Sequence, residues 1–356
     1  MTAAVLVEHG GPEALVVRHD VPVPTPAHGE VLVAVTAAGV NNTDLWTRRG
    51  AYGRPDDPEA VAGWRGEPLD FPRIQGGDAV GRVVAAGDRT GEALLGRRVL
   101  VDPITYGPEV APGEPEILGV LGSESDGAFA EYLCVPTTSV HDVTDSPLDD
   151  VQLACLPIAY GTATGMLERA VLAADETVLV TGASGGVGLA LVQLAAARGA
   201  RVVAVTSSSG TQQVRAAGAD EVVERDQVDD VASTCRALVP DGFHVVADVV
   251  GGSAFGGLLD LLRSAGRLVT CGAVAGPVVE FDLRVLYLRR RVLLGSTMHT
   301  PAQFERLVED ANAGRLAPVV ARTHPLAEIH AAQEEFASAD PVGKLVLRPP
   351  AHAQVR

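Results

Sequence analysis

The sequence predicts an α/β fold in which a β-rich domain, split into two pieces, flanks a doubly wound parallel sheet. Three observations carry this prediction. Between residues 177 and 296, short apolar strands alternate with helical segments, the pattern of crossover-linked parallel strands. Residues before 160 read as short strands punctuated by Gly and Pro. The tail after residue 300 holds two helices and two strands, too few to fold alone, so it is expected to rejoin the first piece. The expected division is therefore 1–160 with 300–356 as the β-rich domain, and 161–299 as the parallel-sheet domain.

The opening strands lie at Ala3 to Val7, Leu15 to Val17 and Val31 to Val35, separated by a loop through Pro22, Pro24 and Pro26. Polar groups then crowd into Ala38 to Trp46, which contains Asn41, Asn42, Thr43 and Asp44. Gly50 to Pro72 reads as a long irregular loop carrying Tyr52, Trp64 and Arg65, and loops of that length commonly bind or cover a ligand. Strand character resumes at Ile74 to Val84 and Arg97 to Val101, and Pro103 to Ser125 reads as a further loop without cysteine.

The parallel-sheet strands are expected at Val178 to Thr181, Val202 to Val205, Glu221 to Val223, His244 to Asp248, Arg267 to Cys271 and Val292 to Ser296. The first is followed by Gly182-Ala183-Ser184-Gly185-Gly186-Val187-Gly188 and a helix whose packing face includes Leu189, Val192 and Leu194. Glycines without Cβ let a pyrophosphate approach the backbone, and the free amides of the helix start face it. With a second strand following at once, this spacing points to a dinucleotide. At the end of that second strand, Thr206, Ser207 and Ser208 stand where an Asp or Glu would receive an unmodified ribose, so NADP(H) is expected over NAD(H). The same serines could instead cap the next helix.

A formal net charge of −17 over 356 residues argues against nucleic acid as a partner, because phosphate neutralisation needs clustered Lys and Arg. No apolar run approaches the roughly 20 residues of a bilayer span, and no signal-like segment opens the chain, so a cytoplasmic protein is expected. Cys134, Cys155, Cys235 and Cys271 lack metal-ligand spacing and read as small apolar residues.

The order of Gly39-Val40-Asn41, Ile74-x-Gly-Gly-Asp78-Ala-x-Gly-Arg-Val83, Asp126-Gly-x-Phe-Ala-Glu-Tyr132, Gly182 to Gly188, Asp248-Val-Val-Gly251 and Gly343-Lys-Leu-Val-Leu347 resembles the medium-chain dehydrogenase/reductase superfamily, in its zinc-free quinone oxidoreductase-like branch. The resemblance spans nearly the whole chain and implies a GroES-like catalytic domain split around a Rossmann domain. In zinc members a Cys, a His, a Glu and a second Cys surround the metal. The matching positions here are Asn41, Gly77, Asp78 and one near Tyr160, which cannot build a thiolate-imidazole site.

The resemblance thus implies a zinc-independent, NADPH-dependent reductase of a quinone or α,β-unsaturated carbonyl, acting as a homodimer on a small molecule. Its alternatives are an enoyl-thioester reductase, with Arg48, Arg49, Arg54 and Arg65 available for a phosphate, and a non-catalytic NADPH-binding protein. Asn41 is implied as donor to a substrate carbonyl and Tyr52 as ring contact or proton donor, with Thr43, Trp46 and Trp64 lining the pocket. Thr164 is implied beside the nicotinamide, while Gly272, Ala273, Met298 and His299 follow strand ends where a doubly wound sheet binds its ligand. His299 reads as an exposed, incidental loop residue, Asp44 as a helix anchor and Asp248 as an organiser of a strand end.

Overall fold

The computed structural model describes residues 1–52, 69–338 and 341–350. The chain divides into two compact units, one comprising Met1–Ile158, Phe304–Leu316 and Val320–Arg356, the other Ala159–Gln303 with Ala317–Val319. Among the described residues no helix is long and apolar enough to cross a membrane.

The first unit begins with β1 (Ala3–Leu6), β2 (Leu15–Arg18), β3 (Glu30–Gly39), α1 (Asn42–Arg49), β4 (Arg73–Ile74), β5 (Ala79–Ala86), α2 (Arg89–Glu92) and β6 (Arg98–Val101). It continues with β7 (Ile104–Ala111), β8 (Glu114–Val120), β9 (Tyr132–Pro136), β10 (Val140–Asp142) and α3 (Asp150–Leu153) before α4 (Pro157–Arg169) leads away. The second unit holds β11 (Thr177–Val180), α5 (Gly186–Ala197), β12 (Arg201–Thr206), α6 (Thr211–Ala216), β13 (Glu221–Glu224), α7 (Val231–Leu238), β14 (Phe243–Asp248), α8 (Phe255–Leu261), β15 (Leu262–Thr270), α9 (Leu283–Tyr287) and β16 (Val292–Gly295). The chain returns through α10 (Pro301–Asn312), β17 (Val320–Pro325), α11 (Ile329–Ala337) and β18 (Lys344–Arg348).

In the first unit the central sheet runs β10-β6-β5-β3-β18-β17, with β9 also paired to β3. Alternating Val31, Val33 and Val35 of β3 are buried with Val99 and Val101 of β6 and Leu345 and Leu347 of β18. The C-terminal strand thus completes a sheet begun over 300 residues earlier, pairing Val346 with Gly39. This register brings Lys344 beside Val40 and Asn41, which matters for the site.

The second unit is a six-stranded sheet in the order β13-β12-β11-β14-β15-β16, all pairs parallel. Leu179, Val203, Val246 and Leu268 are buried on successive strands, as expected for a sheet covered by crossover helices. Among the described residues β16 pairs with β15 alone and leaves Val292 and Leu293 exposed at the edge.

Two expectations are corrected. Pro103 to Ser125 is no loop: β7 and β8 form an antiparallel ribbon turning at Gly113, whose φ of 72° lies in the left-handed region. Most of β7 is exposed, with Val110 outward, so no one-sided burial imposed the alternation by which strands are recognised. β15 begins at Leu262, ahead of the expected Arg267, and a register shift against β14 accommodates Ala265 at φ 59°.

Candidate active-site residues in the two units

In the second unit, the strand-end positions converge on the glycine loop. Thr181 Oγ1 donates to Asp248 Oδ1 at 2.6 Å, and Asp248 Oδ2 accepts the Gly251 amide at 2.9 Å. Asp248 therefore organises the ends of β11 and β14, as the sequence led us to expect. Gly182 adopts φ 59°, and a Cβ on Gly188 would lie 2.1 Å from Gly182 O, so both glycines are required by the turn itself.

Gly185 is different. Its φ is −76°, and a Cβ there would meet only Gly182 O at 3.5 Å. It is the N-cap of α5 and supplies no side-chain cap, and the first turn holds no acidic residue. The helix amides are thus left for an anion, and the residues fit a dinucleotide pyrophosphate.

The loop after β12 lies against this turn. A Cβ on Gly210 would sit 2.5 Å from Thr206 Oγ1 and 2.7 Å from Ser184 Cβ. Thr206 Oγ1 is buried and has no hydrogen-bond partner among the described residues. Ser207 Oγ pairs with Ser209 Oγ at 2.9 Å. Ser208 gives both its amide (2.8 Å) and its hydroxyl (2.7 Å) to the carboxylate of Asp226, a residue the sequence did not single out. These hydrogen bonds hold the Asp226 carboxyl below its ordinary pKa.

Farther along the sheet edge, Gly272 adopts φ 84°, and Ala273 lies close to Gly251, where an added Cβ would fall 3.2 Å from its Cα. Met298 and His299 pack on α4 where Gly161 and Gly165 leave room: Cβ atoms there would reach His299 Nδ1 at 2.1 Å and Met298 O at 2.3 Å. His299 is buried, where an exposed loop residue was expected. Thr164 is also buried, but Thr162, missed from the sequence, is the threonine whose hydroxyl meets Met298 Sδ, at 3.3 Å. Tyr160 OH donates to Gln193 Oε1 at 2.9 Å.

In the first unit, the polar residues before α1 form a buried network. Asp44 Oδ2 accepts the Asn41 amide at 2.8 Å and thereby starts the helix. Asn41 Nδ2 donates to Asp78 Oδ2 at 2.8 Å and to Gly39 O at 3.3 Å. Lys344 Nζ donates to Val40 O (2.9 Å), Asn41 Oδ1 (2.5 Å) and Asp78 Oδ2 (2.9 Å). Asp78 Oδ1 accepts the Ile158 amide at 2.7 Å.

Asn41, expected to donate to a substrate carbonyl, is thus engaged on both sides of its amide and buried. Its two Nδ2 hydrogens are accounted for, which corrects the direct-donor role. Burial raises the Asp44 carboxyl to about 7, against the opposing pull of the Asn41 amide and of Lys344. The Cys155 thiol is pushed up to about 12 by burial, so it offers no thiolate.

Near the end of α1, Trp46 and Tyr52 pack with ring centroids 5.6 Å apart, and both are partly exposed, as is Thr43. Trp64, Arg54 and Arg65 lie outside the described residues. Arg48 is buried and donates to Gln333, so it is not presented to a substrate phosphate.

Two family models divide the chain: residues 27–145 match the alcohol dehydrogenase GroES-like domain and residues 186–313 match the zinc-binding dehydrogenase model. The chain belongs to the medium-chain dehydrogenase/reductase superfamily. Human (Homo sapiens) quinone oxidoreductase is 28% identical over 98% of this chain and 97% of its own length. Acryloyl-coenzyme A reductase of Metallosphaera sedula is 32% identical over 91% and 93%. Among solved structures, a Sinorhizobium meliloti protein assigned as an alcohol dehydrogenase shares 48% identity, covers 98% of this chain and 96% of its own, and superposes with a TM-score of 0.91.

As a member of this superfamily the protein is an oxidoreductase. The metal of its zinc-binding relatives does not fit the residues present here. Where the zinc members place Cys, His and Glu, this chain has Asn41, Gly77 and an Asp78 whose oxygens already accept from Ile158, Asn41 and Lys344. Among the described residues no group of three or more His, Cys, Asp or Glu could hold a metal ion.

Proposed function

We propose that this protein is a zinc-independent, nicotinamide-dependent reductase of quinones or α,β-unsaturated carbonyls. The observation that carries the reading is the Lys344 ammonium held among Val40 O, Asn41 Oδ1 and Asp78 Oδ2. It gives the buried carboxylate its counter-charge from within the chain, so no metal cation is called for there. Without a Lewis acid, a conjugated acceptor is the suitable substrate, because its own π-system spreads the charge that develops on hydride addition.

The nicotinamide ring supplies the hydride when the dinucleotide is bound. The chain's part is to hold it: Gly182 to Gly188 cradle the pyrophosphate, and Met298, Thr162, Thr164, Gly272 and Ala273 bound the nicotinamide end. Tyr52 and Trp46 remain the ring contacts for a flat acceptor, with Tyr52 OH as proton donor and Thr43 beside them. Asn41 acts by holding the start of α1 and not by touching substrate.

An enoyl-thioester substrate is a second reading, favoured by the similarity to acryloyl-coenzyme A reductase. With Arg48 buried, the exposed Arg49 is the nearer candidate for its phosphates. NADPH was expected from the hydroxyls of Thr206, Ser207 and Ser208, but Ser208 is engaged by Asp226. We also propose a homodimer formed through the exposed edge strand β16.

The deciding experiment follows nicotinamide oxidation, with NADPH and NADH in parallel, against a benzoquinone, an ortho-quinone, an enone and an enoyl thioester, each with and without chelator. Turnover unaffected by chelator is expected. Loss of turnover on chelation, restored by zinc, would refute the reading.

A further inference from the structure

We propose that Asp226 selects the unmodified adenosine ribose, so that this protein binds NAD(H) in preference to NADP(H). The inference rests on the nicotinamide-dependent reading above and reverses the cofactor choice that the second strand alone suggests. In dinucleotide folds the ribose hydroxyls are received at the end of the second strand, where a carboxylate accepts from the 2′-hydroxyl and repels a 2′-phosphate. The end of β12 carries no carboxylate, only Thr206, Ser207, Ser208 and Ser209. The sheet order places β13 directly beside β12, and the Arg225 amide, just past β13, donates to Thr206 O at 2.8 Å.

That pairing delivers the next residue, Asp226, onto the same strand end. Its two oxygens take the Ser208 amide and hydroxyl at 2.8 and 2.7 Å. The missing carboxylate is thus supplied from the neighbouring strand, and the serine expected to donate to a phosphate already serves it.

The other charges around this turn do not overturn the balance. Glu224 Oε1 accepts from Thr211 Oγ1 at 2.8 Å, at the opening of α6, which adds a second carboxylate. Among the described residues, the exposed Arg225 is the cation next to Asp226 in the chain, with Arg215 exposed farther along α6. Two carboxylates against one adjacent guanidinium leave the turn net negative, the wrong sign for a dianionic 2′-phosphate. Solved relatives differ in this respect: one at 28% identity is an NAD-dependent alcohol dehydrogenase, and a mycobacterial one at 27% is complexed with NADPH. The discrimination therefore belongs to local residues and not to the fold.

The test is calorimetric binding of NAD+ and NADP+, with 5′-AMP and 2′,5′-ADP as fragments, to the full chain and to Asp226→Asn, Arg225→Ala and Ser208→Ala. It needs no substrate, so it is independent of the reaction proposed above. The wild type is expected to favour NAD+ by about tenfold or more, and Asp226→Asn to shrink that ratio about tenfold, mainly by tightening NADP+. Arg225→Ala should weaken NADP+ further, and Ser208→Ala should keep the NAD+ preference because the carboxylate remains. The preference should also narrow with salt, since this turn is exposed. Asp226 is exposed, so the variants are expected to fold, and thermal unfolding checks this. Tighter binding of NADP+ by the wild type, or an unchanged ratio in Asp226→Asn, would overturn the role of Asp226 while leaving the nicotinamide reading intact. Failure of both dinucleotides to bind would overturn both.

Discussion

Lys344 and Asp78 form an ion pair at 2.9 Å with both side chains almost wholly buried, and each is served by further hydrogen bonds. Such a pair is weak support for stability when intact, but removing one member strands a charge. Lys344→Met should therefore lower unfolding free energy by about 3–5 kcal/mol, read by urea denaturation. Asp44 has a different signature. Its folded pKa, about 7, stands above its ordinary value, so between about pH 4 and 7 the folded state holds the proton that the unfolded state releases. Stability from this group is therefore highest in acid and falls as pH rises to about 7. Stability measured against pH should show Asp44→Asn gaining on the wild type across that window and running parallel above it. A constant difference at every pH would show that Asp44 titrates normally. The sequence showed Asp44 as a helix anchor, yet it could not show the burial that lifts its pKa, because burial depends on segments distant along the chain.

Among the elements, the turn from β11 into α5 separates two kinds of glycine. At Gly188 an added Cβ meets backbone at 2.1 Å, whereas at Gly185 it meets almost nothing. Gly188→Ala should cost about 1–3 kcal/mol in stability, as overpacking does. Gly185→Ala should leave the melting temperature nearly unchanged and still weaken dinucleotide binding by tenfold or more, because the methyl would point where the pyrophosphate approaches. Calorimetry beside thermal unfolding reads both, and equal behaviour of the two variants would remove the distinction. This element was legible in advance, since strand, glycine spacing and helix are contiguous. The β7–β8 ribbon was not, because most of β7 faces solvent and its residues carry no alternation.

At the scale of the molecule, exposed apolar side chains gather between residues 274 and 293: Val274, Val278, Leu283, Tyr287, Leu288, Val292 and Leu293. A chain with a formal charge of −17 repels its copies at long range, so a lasting association needs an apolar surface of this kind. Light scattering at micromolar concentration should give a dimer, and Leu293→Glu on the edge strand should shift it to monomer with the fold retained. A wild-type monomer would end the proposal.

What the sequence determined by itself is whatever depends on neighbours along the chain. That includes the fold class, the family, the glycine loop and the starts of helices, whose signals span about ten residues. Only the tertiary structure decided which distant residues meet. It placed Lys344 against Asp78 and Asn41, buried Arg48 against Gln333, buried His299 on α4, and set Asp226 beneath Ser208. Each of these follows from strand register or helix packing, and such long-range pairing leaves no periodic trace in a single sequence.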